Sequence, residues 1–129
     1  MNIYERAAQI WSLLTFAATH RQTITYDLLS KHTGMMTAGL GQCLEPVQSY
    51  CLIHDLPALT SLVVKATGEP GPGFIAVPAD QVPREQQRVF NHDWLAALPP
   101  DVDTLRQAAI DRPSNGIPLA QQAVAAQAE

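Results

Sequence analysis

The strongest constraint on this chain is the run Thr67-Gly68-Glu69-Pro70-Gly71-Pro72-Gly73, in which five of seven residues are glycine or proline. Proline donates no amide hydrogen and glycine favours turns, so the run can continue neither a helix nor a strand. It separates Leu59-Thr60-Ser61-Leu62-Val63-Val64 from Phe74-Ile75-Ala76-Val77, two segments with the composition of strands. A β-hairpin with a long tip is therefore expected. The tip glycines also suggest a phosphate-binding loop, but Pro70 and Pro72 remove the amide donors such a loop needs, and no Lys-Ser/Thr pair or helix start follows.

Before the hairpin the apolar spacing is helical. Ile3, Ala7, Ile10, Leu14 and Ala17 predict an amphipathic helix over residues 3–19, its apolar face widened by Trp11 and Phe16. Thr23-Ile24-Thr25 is β-branched and extended, and Thr25 is a candidate cap for a short second helix that Gly34 stops. From Thr37, another candidate cap, the stripe Leu40-Leu44-Val47-Cys51 runs to about Ile53 straight through Pro46. One helix kinked at Pro46 is the preferred reading, with two short helices as the alternative.

Three helices followed by a hairpin is the order of a winged helix. The expected fold class is thus α+β, mainly helical, with a further helix from Arg84 to Leu98 that turns Val89, Phe90 and Trp94 inward. Pro78 to Pro83 is expected to be a connector, and Pro99-Pro100 closes the fourth helix. The expected organisation is a winged-helix domain over 1–98 and a tail over 99–129, partly helical or flexible, with one weak helix at Val102–Ile110.

Eight Lys and Arg against twelve Asp and Glu give a net charge of −4, with no basic arm, so nucleic-acid contact would have to be local. The longest apolar run, Ala58 to Val64, is far below the ~20 residues of a membrane-spanning helix. No secretory signal is visible at Met1–Arg6. Cys43 and Cys51 lie eight apart on one expected helix, about 12 Å along its axis, too far to bridge. Two reduced thiols and no signal lead to the expectation of a cytoplasmic protein with no membrane partner.

Residues 24–74 resemble the winged-helix C-terminal domain of the O6-alkylguanine-DNA alkyltransferases and their alkyltransferase-like relatives. Ile24-Thr25-Tyr26-Asp27-Leu28-Leu29 is similar to the family's I-T-Y-G-E-L-A, and Ala38 to Leu44 is similar to A-R-A-V-G-x-A-L in its recognition helix. Val63 to Phe74 is similar to the V-V-x-x-x-G-x-L-G-G-Y wing, with a one-residue slip at the second glycine. The resemblance implies a DNA-contacting scaffold. It also implies that chemistry has been lost, since the family's P-C-H-R, with the alkyl-accepting cysteine and its histidine, is replaced by Leu59-Thr60-Ser61-Leu62. Within this segment Ser61 is taken as the residue left at the acceptor site, an unactivated hydroxyl, and Leu62 beside it offers no base. Gly39 stands where the family's stack-invading arginine would be, so nothing is left to offset the cost of flipping a base.

No other constellation points to an enzyme. Cys51 and His54 share a helix face, but Cys51 continues an apolar stripe and His54 suits the negative end of the helix dipole. His20, His32 and His92 show no metal-ligand spacing, and His92-Asp93 has no supporting partners. No cofactor and no metal are expected. Candidate DNA contacts are Tyr26, Lys31, His32, Thr37, Gln42 and Lys65, with Gly68 and Gly71 in the wing; Arg21 could join the phosphate edge and Gln48 a base edge. The expected recognition helix carries no Lys or Arg and one acid, Glu45. Two functions follow: DNA binding without modification, or a protein-interaction module that dimerises or meets a partner through its first helix, its tail or Met35-Met36.

Overall fold

A computed structural model describes residues 1–114, and the Ala/Gln-rich end expected to be part of the tail lies outside them. Helix α1 spans Ile3–Thr19. Asn2 and Glu5 close its start reciprocally: Asn2 Oδ1 accepts from the Glu5 amide at 2.8 Å and Glu5 Oε1 from the Asn2 amide at 3.1 Å. Helix α2, Tyr26–Thr33, is capped by Thr25 as expected and ends at Gly34, whose φ of 72° is the left-handed conformation that glycine adopts without strain. Helix α3, Thr37–Ile53, runs unbroken through a buried Pro46. Its N-cap is Met36, with no side-chain cap, and Thr37 is the first helical residue rather than the cap.

The expected hairpin is replaced. Leu59–Leu62 forms a 3-10 turn, and the extended chain is confined to β2, Val63–Val64. β2 pairs in parallel with β1, Ile24–Thr25, in the register Ile24 to Val63 and Thr25 to Val64. Phe74–Val77 forms no strand; antiparallel pairing is limited to a bridge between Val64 and Pro70. The cause is chemical. Pro70 and Pro72 have no amide for a ladder, Phe74 turns back on Gly71, and the Ile75 amide donates to Gln48 Oε1 at 3.2 Å. The mainly helical α+β class holds, with a two-stranded parallel sheet and a compact loop in place of a hairpin wing.

Residues 78–83 are not a plain connector, since a 3-10 turn covers Ala79–Gln81 and α4 begins at Val82, with Pro83 in its first turn where a missing amide costs nothing. Helix α4, Val82–Asn91, stops short of the expected Leu98. Past its end the Trp94 indole N–H donates to the Val89 carbonyl at 2.9 Å, sharing that acceptor with the His92 amide at 3.3 Å. Trp94 is nevertheless buried, stacked edge-on against Trp11, which meets Tyr50 on its other side.

Helix α5, Val102–Asp111, is no weak appendage. Asp101 caps it, the helix packs against both α1 and α3, Leu105 joins the core that holds Ile10, Leu14, Leu40 and Val47, and Ala108 is buried. Residues that sequence spacing assigns to a tail therefore complete the core. Leu105→Ala is expected to cost about 2–5 kcal/mol, the usual range for emptying a fully buried leucine site. Chemical denaturation checks this: a loss on that scale is expected, and an unchanged midpoint would show that α5 is not integral.

Candidate nucleic-acid interface

Ser61 and Leu62, singled out by the sequence resemblance, are sealed in. Ser61 is 0% exposed, its carbonyl accepts from Gln86 Nε2 at 2.8 Å, and its hydroxyl has no hydrogen-bond partner among the described residues. Leu62 is fully buried. A hydroxyl with no base beside it and no path to solvent is not an activated nucleophile. A pocket of about 110 Å³ lies beside this turn, bounded by Tyr26, Leu44, Glu45, Gln48, Thr60 and Phe74. Ser61 does not line it, and its volume is below the roughly 300 Å³ at which ordinary ligand pockets begin. Gly39 sits in the first turn of α3, where an added Cβ would meet Met35 Cε at an ordinary 3.5 Å. A larger side chain at Gly39 is thus not excluded at its Cβ.

A second groove, about 260 Å³, gathers three sequence-predicted residues. Tyr26 from the start of α2, Thr37 from the start of α3 and Lys65 after β2 line it, together with Thr25, Asp27 and Ala66. The parallel pairing of β1 with β2 produces this meeting by bringing Thr25 beside Val64. The α3 end is open to solvent: Met36 is 80% exposed, and Thr37, Ala38, Gly41 and Gln42 are exposed too. Lys65 is exposed but lies 3.9 Å from Glu69, a surface pair of little energetic weight. Asp27, in the first turn of α2 where an acid suits the helix dipole, adds a negative charge to the groove. Its role in the groove depends on the parallel strand pair, for which local spacing holds no signal.

Tyr26 and Gly71 are interlocked. Gly71 is buried, and a Cβ there would stand 2.9 Å from Tyr26 Cζ, inside van der Waals contact. Burial pushes the Tyr26 phenol up, and a hydrogen bond from the Gly71 backbone partly offsets this. Gly68 serves the turn itself: its φ is 91°, and its amide donates to the Lys65 carbonyl at 2.8 Å. Gly68 and Gly71 thus shape the loop rather than touch the 260 Å³ groove.

Of the other candidates, Lys31 and His32 are exposed on the last turn of α2, where cations suit the dipole, and Gln42 is exposed on α3; none of the three lines the groove. Gln48 is a correction. It is buried and clamps the fold, its Nε2 donating to the carbonyls of Gly73 at 3.4 Å and Ser114 at 3.3 Å, so it cannot read a base edge. Arg21 is also committed elsewhere, to Gln87 at 2.9 Å and Asn91 at 3.1 Å, with its guanidinium over Phe90.

Cys51 and His54 form no pair. Cys51 is buried, while His54 stacks on Tyr50 with ring centroids 4.3 Å apart. No group of three or more metal-ligating side chains occurs among the described residues, and no described helix is long and apolar enough to cross a membrane.

Two predictions arise here. Burial pushes the Cys51 thiol from 9.0 up to about 12, and the Cys43 thiol is raised by the same cause. A thiol with a raised folded pKa stabilises the fold below the unfolded value, and that contribution is lost as pH climbs from about 9 towards 12. Both cysteines are expected to resist iodoacetamide at neutral pH until denaturant is added, with stability declining above pH 9; rapid native labelling of Cys51 would contradict this. Gly71→Ala is expected to cost about 1–3 kcal/mol through overpacking on Tyr26. Thermal melts should show that loss, and it should shrink when Tyr26→Leu is combined with it.

No protein-family model matches this chain, and comparison with curated proteins and with solved structures returns no match.

Proposed function

We propose that this chain is a non-enzymatic, cytoplasmic module that binds duplex DNA without modifying it, a degenerate winged-helix relative of the alkyltransferase-like proteins. The observation that carries the reading is the convergence of Tyr26, Thr37 and Lys65, from three parts of the chain, on one groove at the open end of α3. A hydroxyl, an ammonium and uncapped first-turn amides are the groups that contact phosphates. Gln42, Lys31 and His32 are exposed and available as further contacts. The buried, unactivated Ser61 supports binding without chemistry.

Charge sets the strength. With a net charge of −4 and Asp27 and Glu69 near Lys65, binding is weak and sensitive to salt. A protein-interaction role rests on a separate observation, the exposed Phe16 and Leu95 side chains lining one groove.

Fluorescence anisotropy with a labelled duplex, titrated at low and at moderate salt, tests the DNA reading. The expected dissociation constant is about 10–100 µM at physiological salt, tightening as salt is lowered. Lys65→Ala should reduce the slope of log affinity against log salt by about one, the signature of one lost phosphate contact. Absence of binding at low salt overturns the proposal, as does binding whose salt dependence ignores Lys65.

A further inference from the structure

The pocket of about 110 Å³ beside the 3-10 turn contains one charged group, the Glu45 carboxylate, and no Lys, Arg or His lines it. Glu45 is half-buried, and its carboxylate makes no hydrogen bond or ion pair with any of the described residues. Burial pushes its carboxyl up, and no neighbouring cation offsets the lost hydration. Thr60 lines the same pocket at 6% exposure, and its hydroxyl has no partner either. The other polar groups are occupied. Gln48 donates to the Gly73 and Ser114 carbonyls and accepts from the Ile75 amide, while the Tyr26 oxygen accepts from the Gly71 amide. The lining is left with two acceptors that lack a donor.

We infer that this pocket binds a primary ammonium group, carried by a small free amine or by a lysine side chain of another protein. An ammonium brings the positive charge that Glu45 lacks and three N–H donors for the carboxylate and the Thr60 hydroxyl. Tyr26 and Phe74 add aromatic rings, whose faces attract cations. A metal ion is the wrong occupant, because one carboxylate and one hydroxyl fall short of the about six to eight oxygens that calcium takes. No group of three or more metal-ligating side chains occurs among the described residues. Size limits the stem: a cavity of ~150 Å³ holds benzene, so this one takes about five heavy atoms, an amine on a short alkyl chain and not a nucleobase. The approach is open at Gly41 and Gly73, both exposed lining residues, where an added Cβ would meet nothing within 4 Å.

The inference does not rest on DNA binding. Of the residues around the 260 Å³ groove, the pocket shares Tyr26 alone.

NMR titration of the isotope-labelled full chain with n-butylammonium chloride is the test, with sodium chloride and n-butanol as controls for ionic strength and for the alkyl stem. The expected dissociation constant is about 1–10 mM, in keeping with so few heavy atoms, and the amides of Gly41, Glu45, Gly73 and Phe74 should shift. Nα-acetyl-lysine methylamide presents the same group on a peptide backbone. Tighter binding of that compound assigns the site to a protein lysine, and equal or weaker binding assigns it to a free amine. Glu45→Gln keeps the side-chain volume and leaves circular dichroism unchanged, because the carboxylate has no partner to lose, yet it should weaken binding about tenfold or more. Gly41→Leu adds bulk at the lining with a good helix former and should act in the same direction. If neither amine produces saturable shifts at the pocket, the inference is overturned and the space holds water. Binding of n-butanol as tight as that of the ammonium overturns it as well, as does amine binding that Glu45→Gln leaves unchanged.

Discussion

Burial of the unbroken stretch from Pro57 to Val64 is the constraint on which the other elements depend. Its 3-10 turn packs against α1, α3 and α4 together, so one short segment joins helices distant in sequence. Leu59 and Leu62 enter the core fully, and burying such side chains stabilises the fold by roughly 1.5–3 kcal/mol each. Because the turn is central, the extended chain that leaves it has one open neighbour, β1. The parallel pair of β1 and β2 then places Lys65 opposite the starts of α2 and α3.

The same burial explains why the scaffold is separable from the chemistry that its sequence resembles. A reactive group at Ser61 would need an exposed edge and a neighbouring base, and the turn presents neither. Two devices secure the Gly/Pro loop over this region. The Tyr26 ring lies against the Gly71 backbone, and Gln48 holds Gly73, Ile75 and Ser114 to α3. A loop that is poor in regular structure is in this way held by a ring packed on Gly71 and by side-chain hydrogen bonds from Gln48 at its end.

Much of the helical part was legible from spacing. Ile3–Thr19 and Thr37–Ile53 follow from their apolar stripes, and Tyr26–Thr33 from the Thr25 cap and the Gly34 stop, signals that act within a few residues of the helix they mark. The hairpin was not legible. Leu59–Val64 has strand composition, but its residues are apolar because they are buried on every side, a case in which periodicity cannot separate a strand from a compact turn. Trp94 misled in the opposite way, since it is buried as an indole cap beyond α4 rather than as a helical residue. Among the candidate contacts, Thr37, Lys65 and Gln42 proved exposed, whereas Gln48 has the same polarity as Gln42 and is buried. The two glutamines differ by six positions, nearly two helical turns, and what lies opposite each is decided by segments far along the chain.

By itself, the sequence determined the place of the first three helices, the Thr25 cap, the Gly34 stop and the position of the Gly/Pro loop, because each depends on backbone chemistry or residue identity within a short window. The tertiary structure alone decided that the sheet is parallel, that α5 belongs to the core, that Tyr26, Thr37 and Lys65 share a groove, and that Phe16 and Leu95 share an exposed face. These depend on which distant segments bury one another. That choice is made by the total apolar area removed from water, to which no local pattern has access.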